Sequence, residues 1–155
     1  MVFFRKTAIG KVGIEEKGGS IVAVYFESDV VPRDREAGET PLIRQAFDQL
    51  EGYLAGRLTT FTLPLAPEGT PFMRAVWRKL QEVPYGQTAS YKEIASAVGN
   101  PKAVRAVGQA NNRNPIPIFI PCHRIIGKNG SLVGYGGGLA LKERLLELEK
   151  RHGRV

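Results

Sequence analysis

The first third of the chain alternates apolar and polar residues in three short runs. β-Branched and aromatic side chains dominate each run, and glycines at Gly10 and at Gly18-Gly19 separate them. This alternation is typical of half-buried strands joined by tight turns. The pattern predicts three strands, over residues 3–9, 11–17 and 20–28.

After a polar loop, the apolar spacing becomes helical at Pro41, and Gly56 provides a stop. The apolar positions near one face of this helix are Leu42, Phe47, Leu50 and Leu54. The run TLPLAPEGTP then holds three prolines and a glycine, which predicts a linker over roughly residues 62–70. We therefore expect an α/β (α+β) chain, with a small strand-rich N-terminal domain containing one long helix over residues 1–66 and a second domain over residues 67–155.

Two longer helical patterns frame the second domain. The first closes at Pro84, and Trp77 beside its apolar stripe is expected in the core. That stripe is Phe72, Val76, Leu80 and Val83. The last helix is predicted from Leu139 to the terminus, and its stripe is Leu141, Leu145 and Leu148.

Between these patterns lie two short helical segments joined by a tight turn. Ser90 and Glu93 form the S-x-x-E capping-box pattern, and Gly99 is suited to end the helix that they start. Pro101 is then expected in the first turn of a second helix over residues 102–110. Such a pair has the outline of a helix-turn-helix, so we expect a mainly helical C-terminal domain containing one. A helical hairpin packed inside the domain has the same local pattern.

Charge is divided unevenly between the two halves of this 155-residue chain. Residues 1–70 carry 8 Lys/Arg and 10 Asp/Glu, whereas residues 71–155 carry 14 Lys/Arg and 5 Asp/Glu, within a net charge of +7. A basic half is suited to a polyanion such as DNA, although a solvated basic surface has the same composition. The helix over 102–110 is rich in small residues, with Arg105 and Gln109 the long polar ones near its middle. Such a thin helix can lie close to the wall of a groove.

Composition argues against a membrane protein or a metalloprotein. No apolar run approaches the roughly 20 residues of a membrane span. The first ten residues have no charged region followed by a longer apolar region, as a secretory signal would. One cysteine cannot form an internal disulfide, and two histidines are too few for a typical structural zinc site. We therefore expect a reducing, intracellular setting (cytoplasmic, or nuclear in a eukaryote), with no metal and no cofactor.

The single cysteine, Cys122, stands in a distinctive setting. His123 and Arg124 follow it, and a thiolate becomes a better-populated nucleophile when cationic neighbours or a base lower its pKa. The prolines at 115, 117 and 121 predict an extended, stiff approach. In an extended segment His123 points away from Cys122, so it needs a turn or a bridging water to act on the thiol. An inert buried cysteine is the alternative.

A carboxylate on the last helix is a candidate partner for His123. Glu143 shares a face with Leu139 and Leu146, and a carboxylate on a partly apolar face needs a partner. It is expected to orient His123 and complete a Cys-His-Glu relay. A surface glutamate is the alternative.

The segment around Cys122 resembles a known active-site signature. The run IPCHRII, preceded by NPIPIF, is similar to that of the O6-alkylguanine-DNA alkyltransferases. Three further runs resemble segments of that family in its order: FMRAVWRKLQEVPYGQTASYKEIA, GNPKAVRAVGQANNRNP and VGYGGGLALKERLLELE. Together they cover nearly all of residues 71–155, whereas the first seventy residues resemble the family only in layout.

The resemblance implies roles at the reacting centre. Cys122 would accept the alkyl group, and His123 would take its proton through a water, with Glu143 behind. Asn114 would fix the turn beside the active-site segment. Tyr91 would donate a hydrogen bond to guanine N3.

The resemblance also implies how guanine and DNA are held. The carbonyls of Cys122 and Ile125 would read the guanine amino group, and Tyr135 would line the pocket. Gly136 stands where some members have serine, so its N–H could bond guanine O6 without a hydroxyl contribution. Arg105 would enter the duplex where the flipped base had been. The expected DNA contacts are Ser90, Ala103, Arg105, Ala106 and Gln109.

The expected function is repair of double-stranded DNA by a monomer that flips out O6-alkylguanine. The alkyl group passes irreversibly to Cys122, so each molecule acts once. A Cys-His-Glu hydrolase or acyltransferase is a second hypothesis, with a thioester and many turnovers. A third is a non-catalytic DNA-binding module, which leaves Cys122 without a task.

Overall fold

The computed structural model describes residues 1–127, 135 and 137–152. The chain divides into two compact units, Met1–Pro67 and Glu68–Val155. None of the helices within the described ranges is long and apolar enough to cross a membrane.

The first unit is an antiparallel sheet with one helix. Its strands are β1 (Val2–Thr7), β2 (Gly10–Lys17) and β3 (Ser20–Phe26), and they lie side by side in the order in which they occur in the sequence. Helix α1 (Pro41–Leu54) packs on the sheet, and the ring of Phe3 meets that of Phe47 edge-on at 6.3 Å. Thr40 caps α1 by accepting a hydrogen bond from the Ile43 N–H. The predicted strands and helix are confirmed.

The buried face of α1 is rotated slightly from the predicted one. Leu42 and Leu54 are only half-buried. The enclosed positions are Ile43, Ala46, Phe47, Leu50 and Tyr53. The prediction correctly included Phe47 and Leu50 but missed Ile43, Ala46 and Tyr53, which are also enclosed.

The second unit is mainly helical. It contains α2 (Pro71–Gln81), β4 (Ala89–Ser90), α3 (Tyr91–Ala97), α4 (Val104–Asn112), a 3-10 turn (Cys122–Arg124), β5 (Ile125–Ile126) and α5 (Leu139–His152). Trp77 of α2 is buried, as predicted, and its Nε1 donates to the Ala110 carbonyl at 2.8 Å. This bond fixes α2 against α4.

The two short helices have the predicted start and stop. The Ser90 hydroxyl accepts from the Glu93 N–H at 3.0 Å, and the Glu93 carboxylate accepts from the Ser90 N–H at 3.1 Å, so the capping box is confirmed. Gly99 follows α3 with a φ of +86°, which favours glycine. The expectation that Pro101 lies inside the next helix is wrong. The Ala103 N–H donates to the Asn100 carbonyl and closes a turn there, so α4 begins only at Val104.

A short parallel pairing connects these helices to the segment that follows Cys122. Ala89 pairs with Ile125 and Ser90 with Ile126. Because Ser90 is also the N-cap of α3, the start of the predicted helix-turn-helix and the segment after Cys122 share backbone hydrogen bonding.

Candidate active site

The chain approaches Cys122 through a closed turn, so the prediction of an extended approach is wrong. The Ile120 N–H donates to the Ile116 carbonyl at 2.9 Å, and Ile118 has a φ of 76°. A β-branched residue in this region costs on the order of 1–3 kcal/mol. Asn114 holds the turn from inside, since its Nδ2 donates to the Ile120 carbonyl and its Oδ1 accepts from the Ile116 N–H. The turn-fixing geometry expected of Asn114 is present.

Cys122 begins the 3-10 turn and is 4% exposed. Burial raises the pKa of its thiol to about 11, while a hydrogen bond from Asn114 and the charge of Lys142 act in the lowering direction. The thiol is therefore protonated near neutral pH, and a base is needed to produce the thiolate nucleophile. Burial outweighs the effects that lower this pKa, and those effects come from Asn114 and Lys142 rather than from the sequence neighbours His123 and Arg124.

His123 lies in the same turn, so it does not point away as in an extended strand. Its ring is fully buried, and Nε2 lies 2.6 Å from Oε2 of Glu149. Burial lowers the pKa of His123, and the hydrogen bond and charge of Glu149 oppose that shift. A proton on Nε2 satisfies the carboxylate and leaves the lone pair of the neutral ring on Nδ1.

The carboxylate behind His123 is Glu149, and the prediction of Glu143 is wrong. Glu143 is exposed, whereas Glu149 is 1% exposed. The inward face of α5 carries Lys142, Leu145 and Glu149. Glu149 lies four residues after Leu145, which the sequence pattern assigned to the apolar stripe of this helix. That spacing places Glu149 on the same face as Leu145 and could have identified it from the sequence.

Glu149 is bound by three parts of the unit at once. Arg124 donates to Oε1 through Nε at 2.8 Å and to Oε2 through Nη2 at 3.1 Å. The Gly86 N–H donates to Oε1 at 3.1 Å. Burial alone would raise the pKa of Glu149, but the bonds and charges of His123 and Arg124 lower it to about 2. The carboxylate is thus ionised at any pH at which the protein would act.

Arg124 and Lys142 are buried cations whose contacts were not predicted from the sequence. Besides its pair with Glu149, Arg124 donates through Nη1 to the Val83 carbonyl at 2.7 Å. Lys142 donates to the Ile125 carbonyl at 2.5 Å. Burial lowers the pKa of Lys142, and the charge of Cys122 opposes that shift. Lys142 and the Arg124 partner Glu149 both lie on α5, so their contacts depend on which face of that helix is buried.

Two carbonyls assigned to guanine by resemblance already have donors within the protein. The Ile125 carbonyl accepts from Lys142, as above. The Cys122 carbonyl accepts from Nδ2 of Asn111 at 3.4 Å. Asn111 is a further residue at this site that the sequence did not reveal, because nothing in its local pattern distinguishes it from its neighbour Asn112.

Two tyrosines flank the centre. Tyr91 is half-buried at the first position of α3, and its pKa is raised by burial and by the charge of Cys122. The ring of Tyr135 stands edge-on to that of His123 at 6.5 Å. Burial raises the pKa of Tyr135 well above its ordinary value. Gly136 lies outside the described residues.

The residues expected to contact DNA divide by exposure. Arg105 and Gln109 are exposed on α4, one turn apart. Ser90, Ala103 and Ala106 are half-buried. The Ser90 hydroxyl is engaged in the capping box, although a hydroxyl has a second lone pair and a proton to offer. In the described part of the chain, no group of three or more His, Cys, Asp or Glu side chains is arranged to hold a metal ion.

Comparison with known proteins matches both units. Residues 4–67 match the model of the 6-O-methylguanine DNA methyltransferase ribonuclease-like domain, and residues 71–151 match that of the DNA binding domain of the same family. A constitutive methylated-DNA–protein-cysteine methyltransferase of Bacillus subtilis is 45% identical over 152 residues, covering 94% of this chain and 92% of the relative. One from Methanosarcina acetivorans is 61% identical over 106 residues, covering 68% of each.

A solved structure has the same fold. The Mycobacterium tuberculosis OGT in complex with DNA superposes with a TM-score of 0.90 at 41% identity, covering 97% of this chain and 93% of that one. The architecture expected from sequence, a strand-rich N-terminal part and a helical DNA-binding part, agrees with this structure.

Proposed function

Because the chain belongs to the 6-O-methylguanine DNA methyltransferase family, a family that repairs DNA by alkyl transfer to a protein cysteine, we propose that Cys122 is the accepting residue. It is the only cysteine of the chain. The observation that carries the proposal is its place beside His123, whose Nε2 lies 2.6 Å from buried Glu149. The three groups form a relay: the thiol is the nucleophile, the neutral imidazole is its base, and the ionised carboxylate orients the imidazole.

The first step is removal of the thiol proton. His123 is neutral near pH 7 because burial lowers its pKa, so its Nδ1 lone pair can accept the proton through a water. The imidazolium that forms is stabilised by the Glu149 carboxylate. The Lys142 cation stabilises the thiolate, since its charge lowers the pKa of Cys122.

The thiolate then attacks the alkyl carbon on guanine O6. The S–C bond forms as the C–O6 bond breaks, and its electron pair stays on guanine. A hydrogen bond from Tyr91 to N3 disperses that charge. The thiol proton rests first on His123, and guanine then regains its N1 proton through water, which returns His123 to the neutral form. The product is a thioether without a carbonyl for water to attack, so Cys122 is consumed and each molecule acts once.

The alkylated base must leave the duplex to reach a buried thiol. Flipping a base costs a few kcal/mol of stacking and pairing. Arg105, exposed on α4, is proposed to fill the space that the base vacates. The small residues Ala103 and Ala106 allow α4 to approach the groove closely. The substrate is therefore double-stranded DNA with O6-alkylguanine, and we propose that one monomer binds one lesion.

A stoichiometric titration tests the proposal. Protein is mixed with rising amounts of a duplex that contains O6-methylguanine, and the repaired guanines are counted. We expect a plateau at one guanine per protein and no repair by Cys122→Ser, which should still bind the duplex. Repair that continues past one equivalent would favour a thioester-type enzyme. Binding by the unchanged protein without repair would favour a damage sensor.

A further inference from the structure

The buried guanidinium of Arg124 connects three segments of the second unit. Arg124 belongs to the 3-10 turn that Cys122 begins. Its Nε and Nη2 donate to the two carboxylate oxygens of Glu149 on α5, at 2.8 Å and 3.1 Å. Its Nη1 donates at 2.7 Å to the carbonyl of Val83, two residues after the end of α2, and its guanidinium carbon lies 5.7 Å from the centre of the Tyr85 ring. The side chain therefore ties the turn to α5 and to the segment that follows α2.

Each oxygen of the Glu149 carboxylate accepts from two donors. Oε1 accepts from Nε of Arg124 and from the Gly86 N–H, and Oε2 accepts from Nη2 of Arg124 and from Nε2 of His123. A carboxylate has about four lone-pair sites, so these bonds occupy them. A guanidinium that binds through two nitrogens is planar and holds the carboxylate in its own plane. Arg124 thus sets the rotation of the carboxylate and the direction in which Oε2 faces His123.

The 3-10 turn brings two consecutive side chains to this one carboxylate. His123 and Arg124 would point to opposite faces of an extended strand, but in the turn both contact Glu149. The charge of Arg124 acts with burial to lower the pKa of His123, and it also lowers the pKa of Glu149. An ionised carboxylate with its lone pairs occupied stabilises an imidazolium beside it without taking the proton.

We propose that Arg124 is a positioning residue for alkyl transfer, which fixes the Glu149 carboxylate against His123 and prevents it from taking the imidazole proton. The inference rests on the proposed roles of Cys122 and His123 as nucleophile and base. With the carboxylate fixed, the imidazole keeps its proton on Nε2 and presents the lone pair of Nδ1 in one direction before the substrate binds. Arg124 therefore acts on the reaction through two other side chains.

Two substitutions separate the charge of Arg124 from its planar geometry. Arg124→Gln removes the charge, so His123 is protonated more easily. The fall in single-turnover rate in acid, measured on a duplex that contains O6-methylguanine, should then move to higher pH. Arg124→Lys keeps the charge but cannot bind both carboxylate oxygens in one plane, so its acid fall should stay in place while its rate above that pH drops about tenfold. Both variants retain the other groups that face or adjoin His123, which are Cys122, Tyr135, Lys142 and Glu149.

A matched control separates this role from the general effect of a lost charge. Arg144→Gln makes the same change at an exposed position on α5, and its rate and pH dependence should equal those of the native protein. All rates are taken per folded molecule, from a urea titration of each variant.

The alternative is an arginine that only stabilises the fold. Both Arg124 variants would then melt at lower temperature, while the folded fraction kept the native rate and the native acid fall. That result would overturn the proposal. If Arg124→Gln does not fold, an undiminished rate for Arg124→Lys would overturn it equally. Failure of the native protein to transfer methyl at all would instead overturn the proposed function.

Discussion

Oε2 of Glu149 lies 2.6 Å from Nε2 of His123, and both side chains are enclosed in the second unit. The contact selects the ring tautomer with its proton on Nε2. It also joins the proposed base to Arg124, which donates to the same carboxylate through two nitrogens. The base, its counter-ion and the guanidinium thus form one buried network.

Replacing Glu149 should impair both repair and folding. Glu149→Gln keeps the shape but removes the charge opposite His123 and Arg124. Breaking a buried ion pair costs about 3–5 kcal/mol, so the melting temperature should fall. The rate of methyl transfer by the folded fraction should fall about a hundredfold, as expected when a general base loses its support.

Glu143→Gln is the matched control. It makes the same change on the same helix at an exposed position. Melting temperature and single-turnover rate should both stay within the error of the native protein. A loss of rate at Glu143, with none at Glu149, would restore the assignment made from the sequence pattern.

Stability should decrease in acid over a window set by these groups. The pKa of His123 is lowered by burial, so the unfolded chain gains that proton first and stability falls below about pH 6.5. The pKa of Glu149 falls from 4.5 to about 2 on folding, so its contribution is present above pH 4.5 and is lost between there and pH 2. Denaturant unfolding at a series of pH values measures both steps. Glu149→Gln should remove the loss of unfolding free energy between pH 4.5 and pH 2. Glu147→Gln, at an exposed position on the same helix, should leave that loss unchanged.

Lys142 should control the reactivity of the Cys122 thiol. Its charge lowers the pKa of Cys122, which burial raises to about 11. Lys142→Met should therefore shift the pH profile of thiol alkylation by iodoacetamide to higher pH and slow the reaction at pH 8. Lys150→Met, at an exposed position on the same helix, should leave the profile unchanged. An unchanged profile for Lys142→Met would remove the lysine from the account of thiolate stabilisation.

Arg105 should matter for DNA but not for the chemistry. Arg105→Ala removes the side chain proposed to fill the gap left by a flipped base. Repair of O6-methylguanine in a duplex should slow strongly, whereas reaction with free O6-benzylguanine, which needs no flipping, should keep its rate. Equal losses on the two substrates would contradict this role.

Local signals were sufficient to predict the three strands, the long helix of the first unit and the start of α3. Thr40 and Thr70 cap α1 and α2, each helix begins with a proline, and Ser90 with Glu93 caps α3. These interactions span only three or four residues, and the Ser90–Glu93 capping box was predicted from the sequence on that ground. The left-handed Ile118 was not predictable, because a β-branched residue adopts that backbone only when tertiary contacts impose it.

The candidate site was predicted where it is local to Cys122 and missed where it depends on α5. Both Glu143 and Glu149 lie on that helix. The spacing of Glu149 from Leu145 was the one sequence signal in its favour, and the packing of α5 on the 3-10 turn decides between the two. Lys142 and Asn111 read as ordinary polar residues of amphipathic helices. Their roles arise from the carbonyls that they meet in the folded unit, which no spacing rule reports.

Cys122 itself is expected to be alkylated and consumed. The most direct measurement is mass analysis of the protein after reaction with excess duplex containing O6-methylguanine, first intact and then as peptides. We predict a single added methyl group, located on the peptide that contains Cys122 and stable to prolonged incubation. An unmodified Cys122 after the guanine has been restored, or a methyl group found on another residue, would contradict the account.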